Sequence, residues 1–357
     1  MSLPRPARSV CPFVTAGKIE NPSLFAGRKD ELRRLAGWMS GSQPVSVNVV
    51  GGRLSGKSSL LQHFTQTYAQ RVAKPGRFLV VCICLRLAKP KTEAEFYQTL
   101  AAALSKLRAV EQCKPLRAAL AACSRGGKKE FTDLLELLSG RGLLPVFCLD
   151  EFEKLFDHKD TLGKDFYDGL HSLINSNKMM LIIATREPVE IVAEGQQLLS
   201  PFFNFGQACE LKDFSEEEAE ELLLLPSPLA PALDADERRL ARKWGDLQPH
   251  LLQLAASFLF EARRHGKSRS WAEKAFKQER GRRLEKSVWT KPLSAKAIAQ
   301  GSRKFLTALA EDAEKCKKVL LALVPLAVLA GLAYALLTGK MPTKDALDWL
   351  LKLMGAK

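Results

Sequence analysis

Five short apolar runs dominate the first part of the chain, and their residue pattern predicts the strands of a buried sheet. Val, Ile, Leu and Cys follow one another almost without interruption, whereas strands with one solvent-facing side alternate apolar and polar residues. Strands covered on both faces are typical of parallel sheets with helices above and below. The predicted strands are Val45–Val50, Phe78–Leu85, Leu144–Leu149, Met179–Ala184 and Gln207–Leu211.

Helical spacing of apolar residues fills the intervals between these strands. The predicted helices are Ser58–Gln70, Thr92–Arg108, Glu130–Leu138 and Phe166–Asn175. An alternation of buried strands and amphipathic helices is typical of α/β domains. We therefore expect a three-layer α/β domain of roughly 190 residues, built on a parallel sheet.

Beyond Leu211 the chain shows helical patterns alone. Ser215, with Glu218 three residues later, is a capping-box signature of a helix start. We therefore expect a smaller helical subdomain beside the sheet. Its predicted helices are Ser215–Leu225, Asp234–Trp244, Pro249–Arg264 and Trp271–Leu284.

A long uncharged segment, Val319–Leu337, lies near the C-terminus. As a helix it would cover ~28 Å of a bilayer hydrocarbon core of ~30 Å. Lys315, Lys317 and Lys318 flank it on one side, and lysine-rich flanks stay cytoplasmic. We expect a single membrane span at residues 319–338 that contacts membrane lipid, with the folded domains on the cytoplasmic side. A buried helix or an apolar oligomer contact is the alternative.

Composition and charge add two constraints. The eight cysteines show no metal-ligand spacing, and those in predicted strands are typical of buried, reduced thiols in a cytosolic compartment. The net charge of +15 is concentrated, because 17 Lys and Arg but only 6 Asp and Glu lie between Arg263 and Lys318. Such a concentration is usually directed at the phosphate groups of lipid or nucleic acid, and is otherwise a solvated basic helix.

The stretch Gly51–Ser58, GGRLSGKS, carries the clearest chemical signal, because it lies between a predicted strand and a predicted helix as a P-loop does. A loop that wraps phosphates with backbone N–H groups needs glycine where a Cβ would collide. Lys57 can reach the β- and γ-phosphates, and the Ser58 hydroxyl can bind Mg²⁺. The predicted nucleotide-binding residues here are Gly51, Gly52, Ser55, Gly56, Lys57, Ser58 and Ser59.

Charged side chains follow two other predicted strands. Asp150 and Glu151 come after Leu144–Leu149, at the carboxyl edge of the sheet, where they are expected beside the end of the strand that precedes the P-loop. There Asp150 would hold Mg²⁺ and Glu151 would polarise the attacking water; the alternative is an acidic cap on the next helix. Arg186 follows Met179–Ala184, where it would sense the γ-phosphate unless it is an ordinary loop residue.

Five segments resemble motifs of AAA+ and STAND ATPases, signal-transduction NTPases that include NLR-type immune sensors, over about residues 20 to 265. They are Phe25–Leu32, the P-loop, Leu149–Glu151 with Ala184–Arg186, and Trp244–Gln253. The resemblance implies Mg-ATP as the bound nucleotide and a helical lid over it. It further implies that Glu151, Lys57 and Arg186 are catalytic, that Gly27 and Arg28 lie against the adenine, and that Pro249 touches the nucleotide from the lid.

These signals together define an expected organisation. It comprises an N-terminal extension (1–20), a P-loop ATPase core (21–212), a helical lid (213–285), a basic linker (286–318), the membrane helix (319–338) and an amphipathic tail (339–357). We expect an ATP-hydrolysing regulatory switch that forms homo-oligomers on a membrane and acts in signalling or defence. The alternatives are a DNA-associated AAA+ ATPase that uses the basic C-terminal segment, such as a loader or transposition regulator, and a nucleotide-binding scaffold without turnover.

Overall fold

The computed structural model describes residues 10–198, 200–204 and 206–288, with side chains up to Arg283. Within this part the apolar runs form five strands, all parallel, in a single sheet. The strands are β1 (Val47–Val50), β2 (Phe78–Cys84), β3 (Leu144–Asp150), β4 (Met180–Thr185) and β5 (Gln207–Glu210). Their order across the sheet is β2-β3-β4-β1-β5. The predicted parallel sheet of an α/β domain is confirmed.

Helices connect the strands and continue after the last one. Before and between the strands they are α1 (Lys29–Ser40), α2 (Lys57–Thr67), α3 (Leu85–Ala88), α4 (Glu93–Ser105), α5 (Arg108–Glu111), α6 (Lys114–Cys123), α7 (Lys128–Ser139), α8 (Lys164–Asn175) and α9 (Val189–Gly195). After β5 they are α10 (Glu216–Leu223), α11 (Ala235–Gly245), α12 (Pro249–Arg264) and α13 (Arg269–Val288). Short 3₁₀ helices occur at Pro22–Leu24, Tyr68–Gln70, Pro75–Arg77, Phe152–His158 and Pro201–Phe203.

Both faces of the sheet are covered, which explains the near-continuous apolar pattern of its strands. Successive side chains of a strand point to opposite faces. On β3, Val146 and Cys148 belong to an apolar cluster completed by α1 and α2. Phe147 and Leu149 belong to a second cluster, with residues of α4, α7 and α8. The sheet is therefore the middle of three layers.

A third apolar core lies among α10, α11, α12 and α13. Ser215 and Asp234 begin α10 and α11 with capping boxes, as the sequence predicts for Ser215. Gly245 ends α11 so close to α12 that a Cβ there would lie 2.6 Å from the backbone nitrogen of Leu252. Because only glycine lacks that atom, Gly245 permits the tight α11–α12 packing.

The structure departs from the sequence-based expectations in two respects. No helix is predicted at α1 or α6, although α1 buries Leu32, Leu35 and Met39 at helical spacing. Strand β4 lies between β1 and β3, an order that the sequence patterns do not predict, so Asp150 and Glu151 follow the strand one position away from β1. Sheet order depends on pairing between residues far apart in the chain, which local patterns do not contain.

Among the described residues, no helix is both long enough and apolar enough to cross a bilayer. The predicted span at 319–338 lies outside the described residues, together with the basic linker beyond 288 and the tail at 339–357. The predictions for these three segments stay predictions of the sequence.

Candidate nucleotide-binding site

The P-loop, residues 51–58, connects the end of β1 to the first turn of α2. Gly56 caps α2 with a φ of +95°, a left-handed conformation that glycine adopts without strain. A Cβ on Gly51 would lie 2.6 Å from the Ser55 hydroxyl oxygen, so glycine is required there for a different reason, the closeness of the loop to itself. The Gly51 amide donates to the Thr185 carbonyl oxygen at 3.2 Å, which fixes the loop to the end of β4.

Lys57 lies folded over this loop. Its ammonium group donates to the carbonyl oxygens of Gly51 at 2.5 Å and Gly52 at 2.9 Å. Burial lowers the pKa of Lys57, and the nearby carboxylates of Glu153 and Asp150 act in the opposite direction. A cation held by neutral carbonyl groups is available to a stronger anionic partner, as a phosphate would be.

The loop also contains an unused polar atom. The Ser55 hydroxyl oxygen is buried and makes no hydrogen bond with any of the described residues. A buried polar atom without a partner is costly, so an acceptor or donor from outside the chain would stabilise it. This hydroxyl, the left-handed Gly56 and the N-terminus of α2 together fit a bound phosphate group.

Two carboxylates end β3 at the same edge of the sheet. Asp150, only 7% exposed, accepts a hydrogen bond from the Glu151 amide at 3.1 Å. Glu151 has a φ of +54°, and its carboxylate forms a 3.1 Å ion pair with Arg86, which follows β2. Ser58, half-buried in the first turn of α2, and Asp150 are the residues that would hold Mg²⁺ beside the phosphates.

The tip of β4 brings Arg186 to this edge. Its guanidinium Nε lies 3.4 Å from a carboxylate oxygen of Glu153, in the 3₁₀ helix that follows β3. Burial raises the pKa of Glu153, against the opposing effects of Arg186 and Lys57. Sequence patterns did not identify Glu153, because it looks like one more acidic residue at a helix start.

Asn48 is a second residue that the sequence patterns missed. It lies on β1, is fully buried, and accepts a hydrogen bond at 2.9 Å from the Thr185 hydroxyl. This bond joins the carboxyl ends of β1 and β4, and so fixes the P-loop relative to Arg186. A polar residue inside an otherwise apolar strand was the available signal.

Gly27 and Arg28 lie between the P-loop and the helical subdomain α10–α13, the predicted lid. Gly27 has a φ of +72°, and a Cβ there would lie 3.1 Å from Glu218 of α10. The Arg28 side chain is 4% exposed; it donates to the Lys212 carbonyl oxygen at 2.5 Å and lies over the Phe214 ring at 4.9 Å. The Arg28 guanidinium therefore braces the chain where the lid begins, and the contact of this box with adenine stays a prediction.

Pro249 is the first residue of α12 and is half-buried. The next residue, His250, has its Nε2 atom 2.5 Å from an Arg283 nitrogen on α13. Burial and the Arg283 charge lower the pKa of His250 to about 4. The contact between His250 and Arg283 thus holds the N-terminus of α12 against α13. The predicted contact of Pro249 with nucleotide stays a prediction.

Residues 11–20, here called the N-terminal strap, run from the lid to α2. Phe13 is buried in the lid core, and the Val14 amide donates to the Gln253 side chain of α12 at 2.9 Å. At its other end the Ile19 amide donates to the Ser59 hydroxyl oxygen at 3.0 Å. Ser59 was predicted to bind nucleotide; in the structure its hydroxyl oxygen accepts a hydrogen bond from the strap.

The sheet order, the P-loop and the carboxylates at one sheet edge define the fold of a P-loop ATPase. No family model matches the sequence, and no curated protein matches it either. Solved structures do match. The Walker-type ATPase PABY2304 of Pyrococcus abyssi is 18% identical, with a TM-score of 0.56 over 97% of this chain and 93% of that chain.

Two further solved structures are similar at lower scores. The Aeropyrum pernix ORC1 protein, solved in complex with DNA, is 18% identical with a TM-score of 0.47, over 77% of this chain and 71% of that one. Cdc6p of Pyrobaculum aerophilum is 14% identical with a TM-score of 0.46, over 72% and 66%. At 18% identity, the likeness to the Pyrococcus protein shows a shared fold. The likeness to the other two structures, with TM-scores below 0.5, says nothing about the function of this chain.

Proposed function

We propose that this protein binds Mg-ATP at the P-loop and hydrolyses it as a regulatory switch of the AAA+ or STAND type. The observation that supports this most is the meeting of Lys57, Asp150, Glu151 and Arg186 at one edge of the sheet, around a loop with an unpartnered buried hydroxyl. Phosphoryl transfer needs little covalent chemistry from a protein, and mainly requires positioned charges of this kind.

Each residue has a distinct role in the proposed reaction. The P-loop backbone and Lys57 bind the phosphates, while Ser58 and Asp150 hold Mg²⁺, which would neutralise charge on the β- and γ-oxygens. Glu151 accepts a hydrogen bond from the attacking water and orients it. In the structure Arg86 pairs with one oxygen of the Glu151 carboxylate, so Arg86 and the attacking water compete for this group.

The Glu151→Gln variant tests hydrolysis separately from binding. The amide has the same shape but cannot take a proton, so ATP affinity should stay within about twofold while turnover falls at least roughly tenfold. The measurements are equilibrium binding of Mg-ATP and steady-state phosphate release. Equal losses of binding and turnover would show that Glu151 supports the site rather than the chemistry.

We further propose that this protein is tethered to a membrane. Its support is the uncharged length of Val319–Leu337 and the lysines before it. Ala327, Gly331 and Ala335 recur at four-residue intervals, which suits packing between helices in lipid, so nucleotide-driven assembly would cluster the spans. The full-length protein should sediment with membranes, and deletion of 319–337 should release it; a full-length protein found only in the soluble fraction would contradict the tether.

DNA binding is the second candidate function, favoured by the basic residues of α13. Its exposed Lys274 and Arg280 are free of ion pairs within the described part of the chain. However, Arg269, Lys277 and Arg282 on the same helix each pair with an acidic side chain, which reduces the positive field available to a phosphate backbone. An affinity for duplex DNA that falls steeply with salt would favour this candidate.

A further inference from the structure

Glu153 occupies a position in the site that the proposed reaction does not explain. Its side chain is 17% exposed, and one carboxylate oxygen lies 3.4 Å from the Arg186 guanidinium. The other oxygen, Oε2, is buried and makes no hydrogen bond in the described part of the chain. Among charged neighbours, Glu153 acts most strongly on Lys57, and Lys57 and Arg186 both act on Glu153. Glu153 is therefore paired with Arg186 and close enough to Lys57 for the two charges to interact.

The charges around the site change when a nucleotide arrives. In the structure, Glu151 pairs with Arg86 and Glu153 with Arg186. The carboxylates of Glu153 and Asp150 also act on the charge of Lys57. Mg-ATP adds a net charge of about −2 at neutral pH, close to Lys57. A γ-phosphate then competes with Glu153 for Arg186, because it offers the guanidinium more negative charge than a single carboxylate oxygen at 3.4 Å does.

Arg186 is free to respond to this competition. Its side chain is 49% exposed, at the start of a loop, and Glu153 is its ion-pair partner among the described residues. The Nε–oxygen distance of 3.4 Å is long for an ion pair, so a γ-phosphate with a charge of about −2 spread over its oxygens can displace Glu153 from Arg186. Glu153 is less exposed than Arg186, and its backbone is anchored by the neighbouring Phe152, which is buried in the core.

We propose that Glu153 is a positioning residue that holds Arg186 away from the phosphate site until a γ-phosphate takes its place. This inference rests on the proposed ATP binding and names a regulation of the same site. Release of Arg186 then depends on the third phosphate, which ADP lacks. Glu153 thereby sets how strongly the protein distinguishes triphosphate from diphosphate, and its own carboxylate makes triphosphate binding weaker than the site would otherwise allow.

The test is a comparison of nucleotide affinities in the full-length protein. Dissociation constants for the magnesium complexes of ADP and a non-hydrolysable ATP analogue are measured by titration calorimetry. In Glu153→Gln the ratio of analogue affinity to ADP affinity should rise at least about threefold, which corresponds to about 0.7 kcal/mol. Glu187→Gln is the matched control, because it removes the same charge from an exposed residue next to Arg186.

A double-mutant cycle identifies Arg186 as the group through which Glu153 acts. In an Arg186→Gln background, Glu153→Gln should leave the ratio unchanged. Glu153→Asp, which retracts the carboxylate by one methylene, should change the ratio in the same direction by a smaller factor, and it serves if Glu153→Gln does not fold. An unchanged ratio in Glu153→Gln, or an equal rise in the Arg186→Gln background, would overturn the inference. A wild-type protein that binds neither nucleotide would instead refute the proposed function.

Discussion

The two glycines that open the P-loop differ in what they do. A Cβ on Gly51 would lie 2.6 Å from the Ser55 hydroxyl and 3.3 Å from Leu211, whereas a Cβ on Gly52 would meet no atom of the described residues within 4 Å. Gly51→Ala should therefore lower the free energy of unfolding by about 1–3 kcal/mol without any nucleotide present. Gly52→Ala should change it by less than about 0.5 kcal/mol. Urea titrations of both variants decide this, and equal effects would contradict the close contact at Gly51.

The ion pair between Arg86 and Glu151 makes a prediction about basal activity. Arg86 is 61% exposed, so its removal costs little stability, but it frees the carboxylate that is proposed to orient water. Arg86→Ala should raise basal phosphate release by roughly two- to tenfold at saturating ATP. A lower kcat with unchanged affinity would instead show that Arg86 assists the reaction.

Individual site residues differ in whether sequence patterns identify them. Lys57 and Ser58 are predictable because the P-loop is a local structure, made by consecutive residues between one strand and one helix. The position of Glu153 depends on how a 3₁₀ helix places it against the tip of β4, far away in the chain. Arg28 shows the same limit, since its partners Lys212 and Glu218 come from the start of the lid.

At the scale of elements, the N-terminal strap ties the lid to the helix that carries Lys57. The Ile19 amide donates a hydrogen bond to the Ser59 hydroxyl oxygen, and the Val14 amide donates one to the Gln253 side chain. Loss of one such hydrogen bond, worth about 1 kcal/mol, should speed amide exchange at the affected residue about fivefold. Ser59→Ala should do so at Ile19, and Gln253→Ala at Val14.

Hydrogen exchange measured by NMR checks the strap directly. Thr99→Ala is a suitable control, because the Thr99 hydroxyl donates to the carbonyl oxygen of Glu95 on its own helix and not to the strap. Unchanged exchange at Ile19 in Ser59→Ala would show that the strap is held by other contacts. The strap would then not couple α2 to the lid in the way its hydrogen bonds indicate.

The contact between α12 and α13 should make stability depend on pH. His250 has a folded-state pKa of about 4, against an ordinary value of about 6.5, because of its burial and the Arg283 charge; Glu279 acts in the opposite direction. The folded protein therefore favours neutral His250, whose contribution to stability is complete above pH 6.5 and is lost as pH falls toward 4. Unfolding at several pH values should show a smaller acid loss in His250→Gln. Equal losses in both proteins would contradict this assignment.

Elements differ in how far the sequence predicts them. The strands are predictable to within a few residues because burial on both faces leaves continuous apolar runs. Helix α12 is predicted with the bounds that the structure shows, Pro249–Arg264, since proline favours the first turn. The insertion of β4 between β1 and β3 is not predictable from such patterns, because nothing local specifies which strands pair.

On the scale of the whole molecule, the described part of the chain is a parallel-sheet core with its own two apolar clusters and a helical lid with a third. The predicted phosphate site lies at the carboxyl edge of the sheet, where ligands of open α/β sheets bind. Arg28 and the N-terminal strap connect this site to the lid. A nucleotide bound there can therefore affect the position of the lid, as a regulatory switch requires.

Equilibrium binding of Mg-ATP to the full-length protein and to its Lys57→Ala variant tests the proposed ATP site most directly. We expect the wild-type protein to bind one ATP per chain. The variant should bind at least roughly tenfold more weakly, because removing a charged partner of a phosphate costs about 1.4 kcal/mol or more. Thermal unfolding without nucleotide should be alike in both, which separates binding from folding. Equal ATP affinity in the two proteins, or no binding to either, would contradict the assignment of the P-loop as an ATP site.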